Sequence, residues 1–368
     1  MLNHGGLVKA LIEQSIFAER LQIVQKAVSN RTTLPILSGI YVEAISDNLT
    51  LYATDLEIAI KTSAKAQIKK EGQIVLPAKL ITEIVKNLPE AKVELVSNEN
   101  ENTLQIKSQQ STFNLNTLAP DDYPHFPDTE DTASFKILKK DFDKAVRQVI
   151  NSASKDESRP ILTGALINIE KEKIKIVATD SYRLALKEIS SKNSSATQAI
   201  IPHRALDEAS KIECKDIKIT LSPNQAVFYL NDTTIVSRLI NGQYPNYSQL
   251  FPQKFETTIV SNKDELLSAV KRVSILSLNN TPLKINTSSG KLKISAETAD
   301  YGSANEEIMA TTKGKDIEIA FNAKYLIDGL LGIDGENAVL ELVDPLQPGI
   351  LKSDEKGFNY LLMPIRLS

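Results

Sequence analysis

Leu34-Pro35-Ile36-Leu37-Ser38-Gly39 returns as Arg159-Pro160-Ile161-Leu162-Thr163-Gly164, and a worn third version reads Thr281-Pro282-Leu283-Lys284-Ile285. The prolines stand 125 and 122 residues apart. Two further markers keep the same step. Leu49-Thr50-Leu51-Tyr52-Ala53-Thr54-Asp55 matches Ile174-Lys175-Ile176-Val177-Ala178-Thr179-Asp180, with Leu292-Lys293-Ile294-Ser295-Ala296-Glu297 as a third relative. Leu76-Pro77-Ala78-Lys79-Leu80 matches Ile201-Pro202-His203-Arg204-Ala205 and Phe321-Asn322-Ala323-Lys324-Tyr325. Three markers in one order at one period define a tandem repeat. Solenoid repeats run about 20–50 residues; a period near 120 is a whole domain. The reading is a short N-terminal extension, 1–8, followed by three domains at 9–129, 130–252 and 253–368, joined through polar stretches.

Within each period, apolar spacing predicts an amphipathic helix first. It is carried by Phe17, Leu21, Val24 and Val28, then by Phe142, Val146, Val149 and Ile150, then by Leu266, Val270 and Val273. Period-two alternation, as in 165–169 and 173–177, predicts strands. A second helix follows each Pro or Asn marker, over 78–87, 203–212 and 323–331, where Pro suits helix entry. Two helices and about eight strands per copy make an α+β layer fold, with helices covering one face of mostly antiparallel sheet. Sheet edges must be paired or covered. Three such domains in a row can pair edge to edge, and a closed ring leaves no edge open.

The 368 residues are 42% hydrophobic and 24% charged, ample for buried cores. A net charge of −3 excludes a strongly basic nucleic-acid binder, and the absence of Trp argues against a stacking-based single-strand binder. The single cysteine, Cys214, excludes an intramolecular disulfide or a Cys-based zinc site, and the three histidines show no metal-ligand spacing. No apolar run approaches the roughly 18 residues of a membrane span. Residues 7–17 are interrupted by Lys9 and Glu13 and lack a cleavage site, so no signal peptide is read there. The expectation is a cytoplasmic protein without cofactor or metal.

Asp55 and Asp180 end strands before irregular segments, where Asp bonds nearby backbone, so both read as turn formers. No nucleophile–base pair and no carboxylate cluster for metal ions recurs, which argues against an enzyme. Basic residues gather on the non-core helix faces, among them Lys79, Lys144, Arg147 and Arg204, with Arg31 in the loop after the first helix. Acidic residues read as collecting in loops, at 121–122, 128–131 and Glu306-Glu307. The plain reading is a solvated helix face. The sharper one is a basic inner surface that attracts phosphates without reading bases. The segment 244–252, rich in Tyr, Pro, Leu and Phe, is either a packed linker or the wall of a peptide groove.

Four motifs carry a family resemblance. They are Thr33-Leu34-Pro35-Ile36-Leu37, Ala178-Thr179-Asp180-Ser181-Tyr182-Arg183-Leu184-Ala185, Leu239-Ile240-Asn241-Gly242-Gln243-Tyr244-Pro245-Asn246-Tyr247, and Leu361-Leu362-Met363-Pro364-Ile365-Arg366-Leu367. With the threefold repeat and this length, the chain resembles the bacterial sliding clamp, the beta subunit of DNA polymerase III, over residues 9–368. It departs where Ser181-Tyr182 replace the common Gly-His, in a short loop after Ser277, and in the added Ser368.

The resemblance implies a non-catalytic processivity factor: a head-to-tail homodimer whose six domains form a ring around duplex DNA, without sequence preference. It implies partners that include the replicative polymerase, the clamp loader and other clamp-motif proteins, and a nucleoid-associated cytoplasmic location. Partner peptides with Gln-Leu-x-Leu-Phe-like motifs would bind a wall of Leu162, Thr179, Ser181, Tyr182, Arg183, Leu184, Pro245, Gln249 and Leu250, rimmed by Pro348, Leu361, Leu362, Met363, Pro364, Ile365, Arg366 and Leu367. Arg183 and Arg366 would donate charged hydrogen bonds to the peptide. DNA would lie against Arg31, Lys79, Lys144, Arg147 and Arg204. The dimer would join Phe113 and Leu115 of domain one to Ile275 and Leu276 of domain three, with Glu306 and Glu307 facing Lys79 or Lys107.

Overall fold

The computed structural model describes residues 8–29, 34–98, 101–129, 133–193, 196–277, 281–288, 290–354 and 356–367. Among them are six α-helices, two per repeat: α1 (Gln14–Gln25), α2 (Ala78–Asn87), α3 (Lys139–Val149), α4 (His203–Ser210), α5 (Lys263–Ser274) and α6 (Ala323–Leu331). The second helix of each repeat starts at the expected residue. α4 stops two residues early, because the Lys211 N–H turns back to the Glu208 carbonyl and tightens the last turn. Phe17, Leu21 and Val24 of α1, Phe142, Val146 and Val149 of α3, and Leu266, Val270 and Val273 of α5 are all buried, as 3.6-residue periodicity requires. Where the first two repeats enter the second helix through Pro, the third uses Asn322, whose side chain accepts from the Tyr325 N–H at 3.3 Å.

The contacts divide the chain into two compact units. The first comprises residues 1–139 and 208–239. It holds a five-stranded sheet in the order Gln67–Lys70, Lys9–Glu13, Lys92–Asn98, Thr103–Ser108, Ser111–Asn116. It also holds an eight-stranded sheet in which Ile58–Lys65 of the first repeat pairs with Thr233–Arg238 of the second. The second unit comprises residues 140–207 and 240–368. Its nine-stranded sheet joins Arg183–Ser190 of the second repeat to Phe358–Leu362 of the third, and its four-stranded sheet ends on Gly302–Met309. All named pairings are antiparallel, and in the long sheets the backbone ladder crosses from one repeat into the next.

Two sequence expectations need correction. Val8 is no extension: it is fully buried, its N–H donates to Ser97 Oγ at 2.6 Å, and its carbonyl accepts from the Ser97 N–H. Glu306 and Glu307 lie within the strand Gly302–Met309 rather than in a loop. Their charges fit because that strand is a sheet edge, with Glu307 exposed and Glu306 half-buried.

The repeat motif ends in glycine for a steric reason. A Cβ on Gly164 would sit 2.6 Å from the Ile201 carbonyl oxygen of the neighbouring strand, and one on Gly39 2.4 Å from Val75 Cγ1. In the first unit, Tyr41, Tyr52 and Tyr123 pack ring to ring, with centroids 4.5 to 5.6 Å apart. The Tyr123 hydroxyl donates to the Gly39 carbonyl and the Tyr52 hydroxyl to that of Pro124. Burial pushes the Tyr41 hydroxyl up to about 12 and those of Tyr52 and Tyr123 higher.

Two outcomes follow. Gly164→Val should destabilise the chain by about 1–3 kcal/mol through overpacking against backbone; a chemical-denaturation midpoint equal to the parent's would refute the steric account. The unfolded tyrosine value is about 10, and the folded values are raised. The neutral hydroxyls therefore contribute stability that is complete below about pH 10 and lost as pH rises through about 12. Tyr52→Phe should flatten this alkaline loss in a pH series of thermal melts.

Candidate functional site

At the junction of the second and third repeats, Leu184 pairs with Leu361 and Arg183 with Leu362. Past the strand end, the Met363 N–H donates to the Tyr182 carbonyl at 3.0 Å and the Ile365 N–H to the Ala320 carbonyl at 2.8 Å. Pro348 precedes the strand Gly349–Ser353, whose Gly349 pairs with Leu362. The tail, the 180–183 turn and Pro348 therefore meet through backbone pairing. Beneath them Val177, Leu184, Tyr244, Ile350 and Leu361 form one buried cluster, with Ile161, Tyr247 and Phe251 packed at its margin. Over this floor Tyr182, Leu250, Met363 and Leu367 are 58, 47, 39 and 38% exposed. Pro245, Gln249 and Arg366 are exposed; Pro348, Pro364 and Ile365 are half-buried; Leu162 and Thr179 are buried. The sequence reading missed Val177 and Ile350, while Tyr244 fell within the segment 244–252 already singled out. Period-two alternation in residues 173–177 sets Ile174 and Ile176 inward and Val177 on the face of Lys173 and Lys175, so its burial came only with the pairing to the neighbouring strands.

The turn at Asp180 builds one wall. Asp180 Oδ1 accepts from the N–H groups of Tyr182 and Arg183, both at 3.0 Å. Thr179 Oγ1 accepts from the Ser181 N–H and donates to the Arg183 carbonyl at 2.6 Å. This holds Ser181 at φ 79°, a left-handed conformation that a β-carbon makes uncommon. Asp55 repeats the arrangement in the first repeat, accepting from Glu57 and Ile58. Both aspartates are turn formers. The Tyr182 ring stacks on Tyr325 of α6, centroids 6.5 Å apart.

Arg183 departs from its expected role. Its side chain is buried, with Nε bonded to Asp180 Oδ2 at 3.0 Å and Nη2 to the Asn151 carbonyl at 2.5 Å. Nη1 bonds Asp328 of α6 and the Tyr360 hydroxyl, and the guanidinium lies 4.4 Å over the Tyr325 ring. Burial opposes its charge, but Tyr360, Asp328 and Asp180 outweigh that and hold the guanidinium above its usual range. With these partners it braces the 180–183 turn from behind, while Arg366 is exposed.

The basic residues are not brought together as a bare cationic face. Lys144 and Arg147 of α3 both reach Asp334, at 3.0 and 2.9 Å, and Gln148 donates to the same carboxylate. Nothing in the spacing singled out Asp334, which lies in the turn after α6. Lys79 is exposed at the start of α2, Arg204 is half-buried on α4, and Arg31 lies outside the described residues. Of the interface set, Phe113 is 39% exposed on the edge strand Ser111–Asn116, but Leu115 is buried. Ile275 is 70% exposed and Leu276 half-buried at the end of α5. Glu306 and Glu307 are held by Arg272 and Lys291 of the same unit, rather than left open for Lys79 or Lys107. Beside the edge strand Gly302–Met309, Tyr301 and Met309 are 64 and 68% exposed, apolar residues the sequence reading passed over.

A threefold α+β repeat whose neighbours share sheets over a buried apolar cluster at their junction is the architecture of a clamp. Family models for the N-terminal, central and C-terminal domains of the DNA polymerase III beta subunit match residues 8–127, 136–246 and 248–366. The beta sliding clamp of Staphylococcus epidermidis is 33% identical, over 98% of this chain and all of that protein. The solved sliding clamp of Bacillus subtilis superposes with a TM-score of 0.93 at 31% identity, covering 98% of this chain and 100% of that one. A Pseudomonas aeruginosa clamp, solved bound to griselimycin, gives 0.92 at 26% identity and the same coverage. The chain belongs to the DNA polymerase III beta subunit family.

Removing the brace exposes its worth. Arg183→Met should cost about 3–5 kcal/mol, the scale for breaking one partner out of a buried ionic network. Arg183→Lys should recover only part, since an ammonium cannot reproduce the fork. Urea denaturation of the three chains measures this; an Arg183→Met chain as stable as the parent would remove Arg183 from the structural account.

Proposed function

We propose that this chain is a processivity factor for DNA replication: a ring that encloses duplex DNA, slides on it, and tethers the polymerase through the groove at the junction of the second and third repeats. The observation that carries this is the pair of open sheet edges. Within the chain, repeat one joins repeat two through Ile58–Lys65 and Thr233–Arg238, and repeat two joins repeat three through Arg183–Ser190 and Phe358–Leu362. By the repeat, the equivalent partners are Ser111–Asn116 of repeat one and Gly302–Met309 of repeat three. Each is the edge of its own sheet. The five- and four-stranded sheets they close would together supply nine strands, the size of the nine-stranded sheet already present. A second copy, head to tail, supplies each edge with its partner, and exposed Phe113, Ile275, Tyr301 and Met309 flank the two edges.

The mechanism is topological. A closed ring cannot leave a duplex sideways, so weak contacts suffice for retention and, being sequence-independent, permit sliding. Lys79, Lys144, Arg147, Arg204 and Arg31 are the proposed phosphate contacts, with Asp334 holding two of them at the α3 surface. No step of covalent chemistry is assigned to the chain. The groove suits a short peptide with an apolar end. Full burial of one Leu or Phe is worth about 1.5–3 kcal/mol, part of it returned in ordering, which gives weak, exchangeable tethering that raises the local concentration of polymerase on its template. The clamp loader and other motif-bearing proteins would use the same groove in turn, in the bacterial cytoplasm at the nucleoid. The proposed domains are 9–129, 130–252 and 253–368, the first extended by one residue to take in Val8.

The ring predicts that the protein, once loaded, stays on closed circular DNA and is lost when the circle is cut. Gel filtration of loaded complexes before and after linearisation measures this, and equal loss from both forms refutes enclosure. Ile275→Glu with Leu276→Glu should give monomers in sedimentation; an unchanged dimer would misplace the interface.

A further inference from the structure

The junction between the first and second repeats reproduces the partner groove position by position. Val236 pairs with Ala59 and Ser237 with Ile58, where Leu361 pairs with Leu184 and Leu362 with Arg183; each position is displaced by 125 residues. The Arg238 N–H donates to the Glu57 carbonyl at 2.9 Å, as the Met363 N–H does to that of Tyr182. Leu56 occupies the left-handed turn position of Ser181, at φ 77° against 79°. Pro124 follows the buried Tyr123 as Pro245 follows the buried Tyr244. A cleft of about 370 Å³ opens here, bounded by Leu56, Ala59, Pro124, Val236 and Arg238.

We propose that this cleft is a second peptide-binding site, taking a short extended segment of a partner protein with an aromatic anchor beside a carboxylate. The inference rests on the reading of the first groove as a peptide site. The side chains give the second a different selectivity. Its floor carries Ala59 and Val236 where the first has Leu184 and Leu361, so its floor side chains are smaller. Phe126 packs both on the Ala59–Val236 patch and on the Tyr41, Tyr52 and Tyr123 cluster. His125 lines the cleft and the half-buried Phe126 packs on its floor residues, so an aromatic anchor would meet a ring there, as aromatic pairs favour. Leu56, 49% exposed, supplies an apolar lip. The rim is charged where the first groove is apolar: Arg238 replaces Met363, and Lys61 sits 4.2 Å over the Phe126 ring. Glu57 approaches Arg238 only to 3.6 Å with both side chains exposed, a pair worth little. A peptide carboxylate that makes a direct charge-assisted bond displaces it.

The test uses the full-length chain with ¹³C-labelled Ala, Val and Leu methyls. Ala59 and Val236 report on the cleft, Leu184 and Leu361 on the groove. The probes are an acetylated Ser-Asp-Phe-Asp-Gly-Ser hexapeptide and a Gln-Leu-Ser-Leu-Phe pentapeptide. The hexapeptide should shift the Ala59 and Val236 methyls saturably while Leu184 and Leu361 stay put. Ala59→Leu, which restores the size of the first groove's floor, should weaken that response at least tenfold. Arg238→Glu, at an exposed rim position, should do the same, with the pentapeptide titration of Leu184 and Leu361 unchanged. Static or non-saturating Ala59 and Val236 methyls overturn the proposal, as does an affinity that Arg238→Glu leaves unaltered. Silence of Leu184 and Leu361 toward the pentapeptide, with the hexapeptide still bound at Ala59, sinks only the reading of the first groove.

Discussion

A strand at the edge of a sheet presents a row of unpaired amide and carbonyl groups, and a chain must pair, cover or blunt it. Here the repeat turns that liability into the joint between domains. The register at one joint, Val236 opposite Ala59, is the register at the next, Leu361 opposite Leu184. Backbone pairing of this kind is indifferent to side-chain identity, so it survives the divergence that has worn the third copy's markers. It also fixes geometry tightly, because slipping by one residue would turn every inward side chain outward. In the proposed ring, the edges Ser111–Asn116 and Gly302–Met309 would find the same solution in a second chain.

The groove is a consequence of that joint. Where the strand Arg183–Ser190 begins, the chain must turn, and Asp180 and Thr179 satisfy the turn's N–H groups with their own side chains. Where the opposite strand ends at Leu362, the tail leaves the ladder and runs on to Ala320. Two strands diverging from their last shared pair leave a wedge, and Leu184 and Leu361 form its floor. The wall stays put because Arg183 ties the turn to α6 through Asp328 and to Tyr360 and Asn151. Rigidity of this kind matters for a weak binder, since a preformed wall lowers the ordering cost of each exchange.

Much of this was legible in the residues. Apolar spacing gave the first helix of each repeat and the Pro or Asn marker the second, and Asp55 and Asp180 read as turn formers from residue type and their place at strand ends. The markers gave the period, and their glycines carried a steric meaning that the neighbouring strand supplies. What the residues withheld was anything made by long-range pairing. Arg183 looked like an exposed donor because the sequence shows its local neighbours and not Asp328, 145 positions away. Lys144 and Arg147 looked like free cations for the same reason, with Asp334 unseen. Leu115 looked like an interface residue beside Phe113, with which it shares a strand face, because its burial depends on the neighbouring strand, where it pairs with Leu104.

Duplicating a domain duplicates its joints, and so every feature that a joint creates. The turn, the left-handed residue, the final ladder bond and the proline after a buried tyrosine appear at both junctions of this chain. Side chains then decide what each wedge becomes. Leucines at 184 and 361 give a shallow apolar bed suited to aliphatic residues. The smaller alanine and valine at 59 and 236, with Phe126 packed on them and Arg238 at the lip, would give the proposed second one a different selectivity. Because the backbone frame is held by the ladder, these substitutions alter recognition without altering the fold. A threefold repeat that must close its edges therefore carries a set of equivalent wedges, each free to diverge in the chemistry it accepts.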